Sequence, residues 1–155
     1  MEIKTFYKIR FSDCDPFKHL NNSGYIDYML NAREDHLFEF HDINMTDLYE
    51  KGSGWIVNRH EIIYLNPAHY NENVCIQSNL IKLAHDSLFV EISMWDENQK
   101  QLKALLWTKF IHVNLKTNKR DYHPDWFIQL AAEFENKTLQ QFGSINERLS
   151  DLLKQ

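Results

Sequence analysis

The spacing of apolar residues changes several times along the chain, and each change predicts a different kind of element. Residues 2–11 are rich in β-branched and aromatic side chains, which predicts a first strand. A polar loop follows over residues 12–22. From Asn22 to His41 the apolar positions recur at spacings of three and four, which predicts a long helix. A shorter helix is predicted over residues 45–50.

Beyond Gly52-Ser53-Gly54, which we expect to break the chain, the apolar spacing shortens to two. Four strands are predicted there, over residues 55–66, 73–83, 87–95 and 102–115. The last of these is apolar on both faces, as is typical of a central strand. Two helical segments are predicted after it, over residues 125–135 and 144–155.

Strands that follow one another and a segregated long helix indicate the α+β class. We expect an antiparallel sheet wrapped around the long helix, the layout called the hotdog fold. The length favours a single domain over residues 1–155. Its core is expected over about residues 3–124, with a C-terminal helical extension over about 125–155.

The composition narrows the class of protein. Hydrophobic residues make up 43% and charged residues 25% of the chain, and the net charge of −5 argues against a nucleic-acid-binding protein. The two cysteines, Cys14 and Cys75, form no disulfide framework, so we expect a cytoplasmic location. No apolar run suits a signal peptide or the roughly 20 residues of a membrane span.

The segment Phe11–Tyr25, FSDCDPFKHLNNSGY, concentrates hydrogen-bonding residues at the start of the long helix. Asn21 or Asn22 can cap that helix by accepting a backbone N–H. A helix start also carries unsatisfied N–H groups and partial positive charge, which suit an oxyanion. A carboxylate just before the helix, such as Asp15, can act on the opposite side of a bound carbonyl as a general base or a nucleophile.

The pattern Arg10-Phe11-x-Asp13-x-Asp15-x-x-x-His19-Leu20-Asn21-Asn22-x-x-Tyr25 resembles the signature of hotdog acyl-thioesterases of the 4-hydroxybenzoyl-coenzyme A thioesterase type. It is also similar to the motif of acyl-carrier-protein thioesterases. The likeness continues through IIYLNPAHYNENVCI and covers roughly residues 3–124. Asn71-Glu72 departs from the Gly-Asp that many family members carry before the third strand.

The resemblance implies roles for individual residues. Asp15 falls at the catalytic carboxylate, and the backbone N–H at about Asn22 falls at the group that polarises the thioester carbonyl. The supporting positions are taken by Asp13, His19, Asn21 and Tyr25. We expect Tyr25, Met29, Trp55 and Tyr64 to form the walls of the acyl pocket.

The same residues have simpler explanations, which the sequence leaves open. Asp13 and Asp15 can form Asx-turns, and Asp13 can bond the loop backbone or pair with Arg10. His19 can bond its own loop. A divalent cation on Asp13, Asp15 and His19 is disfavoured because the loop lacks the glycine and distal glutamate of a calcium site. A nucleophilic Cys14 is disfavoured because the flanking carboxylates raise the pKa of its thiol.

The remaining features are weaker. The other histidines show no metal-binding spacing and are expected on the surface or in strands. The basic residues Lys116, Lys119 and Arg120 are most simply a solvated turn, with coenzyme A phosphates as the alternative. We expect neither a metal nor a redox cofactor.

The sequence therefore predicts an acyl-coenzyme A thioesterase that acts on medium- or long-chain aliphatic acyl groups. His19 and the Asn pair, in place of the glycine and aromatic residues of the hydroxybenzoyl-type enzymes, make an aromatic acyl group less favoured. The alternatives are an acyl-carrier-protein thioesterase, an acyl-thioester dehydratase and a non-catalytic acyl-binding module. The resemblance further implies a homodimer or homotetramer with sites at subunit interfaces.

Overall fold

A computed structural model describes residues 2–155 of the chain. The elements follow in the order β1 (Lys4–Lys8), α1 (Asn22–His41), α2 (Met45–Glu50), β2 (Ser53–Tyr64), β3 (Asn73–Leu83), β4 (Ser87–Asp96), β5 (Leu102–Asn114), β6 (Lys119–Arg120), α3 (Asp125–Ala132) and α4 (Ile145–Leu152). This order of strands and helices confirms the α+β class.

The strands form one sheet in the order β1-β3-β4-β5-β2, and β6 pairs with β5. β1 runs antiparallel to β3, with Lys4 opposite Gln77 and Lys8 opposite Asn73. β1 and β2 are therefore the edge strands of the main order. A strand at an edge presents backbone N–H and C=O groups that no neighbour within the sheet satisfies.

The described residues group into two compact units. The first comprises residues 2–44, 62–78 and 92–106, and the second comprises residues 45–61, 79–91 and 107–155. The expectation of a single domain over residues 1–155 stays a prediction, as do its core and extension boundaries.

In the first unit, α1 buries one face against the sheet. The buried stripe consists of Tyr25, Met29, Ala32 and His36, whose spacings of four, three and four residues place them on one side of a helix. The helix ends at Asp42, which has the left-handed φ of 55° and whose N–H bonds the carbonyls of Leu37 and Phe38. The predicted bounds of α1 are confirmed.

In the second unit, the C-terminal helices are held by a buried ion pair. Arg148 of α4 donates from Nε and Nη2 to the Glu91 carboxylate of β4 at 3.0–3.2 Å. The indole of Trp107 donates to the same carboxylate at 3.0 Å. Every polar atom of this contact has a partner, as a buried charge requires.

Several predictions of local structure need correction. The first strand ends at Lys8, and Phe11–Asp13 form a 3-10 turn. β2 begins at Ser53, inside the expected Gly-Ser-Gly break, and β6 was not predicted. α3 stops at Ala132 and a 3-10 turn covers Lys137–Gln141.

His36 and His123 were expected on the surface or in strands but are buried outside the strands, whereas His112 is buried within β5, as the expectation allows. His36 lies in α1 and His123 lies just before α3, so neither belongs to a strand. Hydrogen bonds to neighbouring groups explain why these imidazoles can leave water. None of the helices described in residues 2–155 combines the length and apolarity that a membrane span requires.

Candidate active site

The loop between β1 and α1 is a small hairpin that presents Asp15. Cys14 and Leu20 pair as an antiparallel bridge. The N–H of Asp15 bonds the carbonyl of His19 at 2.8 Å, and Lys18 takes a left-handed φ of 63° to close the turn. The turn residues Pro16 and Phe17 are exposed.

Asp15 is oriented by its own loop. Its Oδ1 accepts the backbone N–H of Phe17 at 2.9 Å and that of His19 at 3.1 Å. This is the Asx-turn that the simpler explanation expects. Because both bonds fall on Oδ1, Oδ2 is left to a water molecule or a substrate. The turn therefore fixes the carboxylate without occupying it.

Asp13 ties the loop to α1 and does not pair with Arg10 through its side chain. Its Oδ2 accepts the hydroxyl of Tyr28 at 2.7 Å, and that hydroxyl accepts the N–H of Arg10 at 3.0 Å. The carbonyl of Asp13 accepts the N–H of Asn21 at 2.9 Å. Burial, and then the bond to Asp13, raises the pKa of the Tyr28 phenol.

The start of α1 is not capped by a side chain, which corrects the expectation for Asn21 and Asn22. Asn21 occupies the N-cap position but makes no side-chain bond to the helix. The N–H of Gly24 bonds the carbonyl of Asn21 at 2.8 Å. In residues 2–155, no acceptor is found for the N–H groups of Asn22 and Ser23. Two helix N–H groups are therefore available to an anionic oxygen.

Gly24 allows the loop to approach this helix start closely. A Cβ added at Gly24 would lie 2.7 Å from Cδ1 of Leu20 and 3.8 Å from the carbonyl oxygen of Asp13. Leu20 is itself buried, so its side chain has little room to move. A side chain at position 24 would therefore have to displace the buried Leu20 side chain.

The segment Pro67–Glu72 holds the loop and the helix together, a role that was not predicted for it. The carbonyl of Ala68 accepts the N–H of Leu20 at 2.8 Å. The N–H of Ala68 donates to the hydroxyl of Tyr25 at 2.9 Å. Glu72 pairs with the buried Lys103 at 2.9 Å and accepts the N–H of His69. The Tyr-x-x-Pro-Ala sequence was the available signal.

The ring of His19 packs against His69. Its imidazole lies edge-on to His69 with centroids 5.0 Å apart, and the two residues form an isolated antiparallel bridge. Its backbone bonds Asp15 in both directions. This agrees with a histidine that bonds its own loop. A substrate-orienting role for His19 stays a prediction.

The four expected pocket walls lie in different surroundings. Tyr25 and Met29 are buried on the sheet side of α1. Tyr64 is 42% exposed and packs edge-on against Tyr25 at 5.2 Å. Trp55 belongs to the second unit, where its indole donates to Nε2 of His123. The role of these residues in acyl binding stays a prediction.

A cavity of about 510 Å³ lies along a polar face of α1. Its lining residues are Asp13, Gly24, Asp27, Tyr28, Leu30 and Asn31. Mostly polar walls do not suit an aliphatic chain. This cavity is therefore distinct from the apolar pocket expected from the sequence.

A nucleophilic role for the Cys14 thiol remains disfavoured. Burial, together with the charges of Asp13 and Asp15, raises the pKa of the Cys14 thiol, which makes it a poorer nucleophile. Among the described residues, no group of three or more His, Cys, Asp or Glu is placed to hold a metal ion.

Comparison with known proteins identifies the family of the chain. The family model of the thioesterase-like superfamily matches residues 9–142. No curated protein shows significant sequence similarity to the chain.

Three solved structures share the fold. The probable thioesterase YbaW from Escherichia coli is 22% identical with a TM-score of 0.74, covering 86% of this chain and 99% of that one. SAV2348 from Staphylococcus aureus, determined in complex with CoA, is 11% identical with a TM-score of 0.77, covering 94% and 88%. The 12:0-ACP thioesterase from Umbellularia californica is 11% identical with a TM-score of 0.77, covering 88% and 51%. At these identities the likeness shows the fold alone.

Proposed function

Because the chain belongs to the thioesterase-like superfamily and is a thioester hydrolase with the hotdog fold, we propose that it hydrolyses aliphatic acyl-coenzyme A at Asp15. The observation that carries this proposal is the pairing of an oriented carboxylate with an uncapped helix start. Asp15 has one carboxylate oxygen held by two N–H groups, and α1 offers the free N–H groups of Asn22 and Ser23.

The two groups divide the chemistry of thioester hydrolysis. Oδ2 of Asp15 removes a proton from a water molecule as the water oxygen bonds the thioester carbonyl carbon. The carbonyl oxygen becomes an oxyanion, which the N–H groups of Asn22 and Ser23 stabilise. The oxyanion then re-forms the carbonyl and expels the thiolate, which takes the proton from Asp15. The products are a free acid and coenzyme A.

The alternative is direct attack by Asp15, which forms a mixed anhydride and releases the thiol before water enters. A single turnover in ¹⁸O-labelled water distinguishes general-base hydrolysis from an anhydride that water opens at its aspartyl carbon. A general base places ¹⁸O in every acid product of the first turnover. Attack of water on the aspartyl carbon of an anhydride would leave the first acid unlabelled and the labelled oxygen in Asp15.

The substrate class follows from the apolar residues around the helix start. Tyr25, Met29 and Tyr64 are large and mostly apolar, which favours a hydrophobic acyl chain. A buried methylene contributes about 0.8 kcal/mol. We expect kcat/KM to rise several-fold per two carbons, so that medium or long chains exceed acetyl-coenzyme A at least roughly tenfold.

The carrier is coenzyme A in this proposal, supported by the structure of SAV2348 in complex with CoA. The second candidate is an acyl-carrier protein, favoured by the likeness to a 12:0-ACP thioesterase.

Both Cys14 and Cys75 are free, which supports a cytoplasmic location.

Thiol release across a panel of acyl groups tests the proposal. The panel comprises acetyl- to palmitoyl-coenzyme A, 4-hydroxybenzoyl-coenzyme A and a matched acyl-carrier-protein series. The proposal expects rising kcat/KM with chain length on coenzyme A. A flat profile, or a preference for acetyl or hydroxybenzoyl groups, would overturn the substrate class. Faster release from acyl-carrier protein would assign the second carrier.

The edge strand β2 supports a homodimer, with a homotetramer as the higher state. Within it Ile56 is 58% and Val57 41% exposed, large apolar side chains on an unpaired edge. Such an edge pairs readily with a second copy. Light scattering of Val57→Lys should then show a smaller species than the parent. A parent that is monomeric at micromolar concentration would exclude this assembly.

A further inference from the structure

The end of β2 contacts the peptide group at the start of α1. The hydroxyl of Tyr64 donates a 3.1 Å hydrogen bond to the carbonyl oxygen of Asn22. That carbonyl belongs to the same planar peptide unit as the N–H of Ser23. The hydroxyl therefore bonds the carbonyl of a peptide unit whose N–H, that of Ser23, has no acceptor in residues 2–155.

The position of Tyr64 is fixed from several sides. The backbone N–H groups of Leu65 and Asn66 both bond the carbonyl of Lys103, at 2.9 and 3.2 Å. The side chain of Asn66 donates to the carbonyl of Leu102 at 2.8 Å. The aromatic ring packs edge-on against Tyr25, with an interplanar angle of 78°. The hydroxyl is thus delivered by a rigid strand end.

A hydrogen bond accepted by an amide carbonyl polarises the whole peptide unit. Electron density moves towards oxygen, so the N–H of the same unit becomes a stronger donor, by about 10–30% per bond. An oxyanion that develops in the transition state gains more from this than the ground-state carbonyl does. A contact of this kind should act on kcat more than on KM.

We propose that Tyr64 is a positioning residue that orients and polarises the Asn22–Ser23 peptide so that the Ser23 N–H can stabilise the oxyanion. This inference rests on the proposed function, because it assumes that the helix start receives the thioester carbonyl. Tyr64 then contributes to stabilisation of the oxyanion, in addition to its expected place in the acyl pocket.

Tyr64→Phe tests the kinetic consequence, because it keeps the ring that packs on Tyr25 and removes only the hydroxyl. We expect kcat to fall roughly threefold to tenfold, a fraction of the 10²–10³ of a complete oxyanion donor, with KM unchanged. Tyr49→Phe, at an exposed tyrosine of α2, is the matched control and should keep the parent kcat. An unchanged kcat in Tyr64→Phe would overturn the inference.

Infrared spectroscopy separates polarisation from a structural effect. Decanoyl-coenzyme A labelled with ¹³C at the carbonyl is bound to Asp15→Asn, in which it should remain intact. Its carbonyl band should lie at lower frequency than in solution. In the double variant Asp15→Asn/Tyr64→Phe that downshift should be smaller, with binding affinity and Tm unchanged. Equal downshifts in the two variants would overturn the role of Tyr64.

The measurements on Asp15→Asn and Tyr64→Phe distinguish a failure of the proposed function from a failure of the role of Tyr64. If Asp15→Asn is inactive and its bound carbonyl is downshifted, the proposed function stands whatever Tyr64→Phe does. If the bound carbonyl shows no downshift in Asp15→Asn, the helix start is not the oxyanion site. Both the proposed function and the role of Tyr64 then fall.

Discussion

The hydroxyl of Tyr28 donates a 2.7 Å hydrogen bond to the carboxylate of Asp13 and so joins the second turn of α1 to the loop that carries Asp15. The same hydroxyl accepts the N–H of Arg10 at 3.0 Å. One phenol therefore bridges the entry to the loop and its centre. The two aspartates of the loop make different contacts, since the Asp13 side chain bonds Tyr28 in α1 whereas the Asp15 side chain accepts N–H groups of its own loop on Oδ1.

Tyr28→Phe should disturb Asp15 without removing it. The substitution leaves the Asp13 carboxylate and the Arg10 N–H without their shared partner, so stability should fall by about 1–2 kcal/mol. Because the loop loses an anchor, kcat should also fall several-fold. Urea denaturation and thiol release measure the two effects.

Asp13→Asn is the matched comparison, because its amide oxygen can still accept from Tyr28. Stability should fall less than in Tyr28→Phe, and hydrolysis should persist. If Asp13→Asn abolished hydrolysis in a folded protein, Asp13 would be the catalyst and the anchoring role would be wrong.

The long helix was predictable because its burial is one-sided. The stripe of Tyr25, Met29, Ala32 and His36 produces a pattern that no strand would show, and both bounds of α1 agree with the prediction. The strands were predictable from apolar and β-branched runs bounded by polar turns. Their ends were less so, since Ser53 joins β2 only through pairing with a distant strand.

The turn at Asp15 was predictable, but the long-range contacts around it were not. The motif placed Asp15 in a turn, and the Asx-turn follows from local geometry. The missing cap was not predictable, because Asn21 instead donates its N–H to the carbonyl of Asp13. The bond between Ala68 and Tyr25 spans 43 positions, and no local pattern encodes a contact of that separation.

Stability should fall as the pH drops, and His36 should be one cause. Its ring nitrogens contact the hydroxyls of Thr5 at 3.0 Å and Ser78 at 2.6 Å. The pKa of His36 falls from 6.5 to about 4, chiefly because of burial; Asp35 opposes this shift, and Arg33 and His41 contribute to it. The unfolded chain therefore binds a proton at higher pH than the folded chain does.

The lowered pKa of His36 determines how stability changes with pH and over which pH range. The stabilisation is complete above about pH 6.5 and is lost progressively as the pH falls towards about 4. By pH 5 the loss should reach about 2 kcal/mol. Urea denaturation at pH 7.5 and pH 5 should show a smaller difference for His36→Gln than for the parent. Equal differences would mean that His36 does not titrate in this way.

The ion pair of Arg148 and Glu91 should be costly to break from one side. The side chains are only 12% and 2% exposed, so removing the guanidinium leaves a carboxylate buried without its counter-charge. Arg148→Leu should lower the free energy of unfolding by about 3–5 kcal/mol. Thermal denaturation and urea titration measure the loss.

The double variant Glu91→Leu/Arg148→Leu is the matched control for that experiment. Because it removes both charges, it should be more stable than Arg148→Leu alone. A double variant that is less stable than the single one would show that packing, rather than the unpaired charge, dominates at this contact.

Gly24→Ala should reduce activity through the approach of the loop to the helix. The new methyl would lie 2.7 Å from Cδ1 of the buried Leu20, so the Leu20 side chain, which packs in the loop, must move. Overpacking of this kind costs about 1–3 kcal/mol, partly offset by about 1 kcal/mol of helix propensity. We expect lower kcat with a small change in Tm. A Gly24→Ala variant with the kcat of the parent would show that activity does not require the close approach of the loop to the start of α1.

The central claim is that Asp15 performs the hydrolysis, and thiol release from decanoyl-coenzyme A by Asp15→Asn tests it most directly. The amide is nearly isosteric and can still accept the N–H groups of Phe17 and His19, so Tm should stay near the parent value. Asp47→Asn, at an exposed carboxylate of α2, is the matched control and should keep full activity. The account predicts a fall in kcat of at least about 10²-fold for Asp15→Asn. Hydrolysis by Asp15→Asn at the parent rate would contradict it.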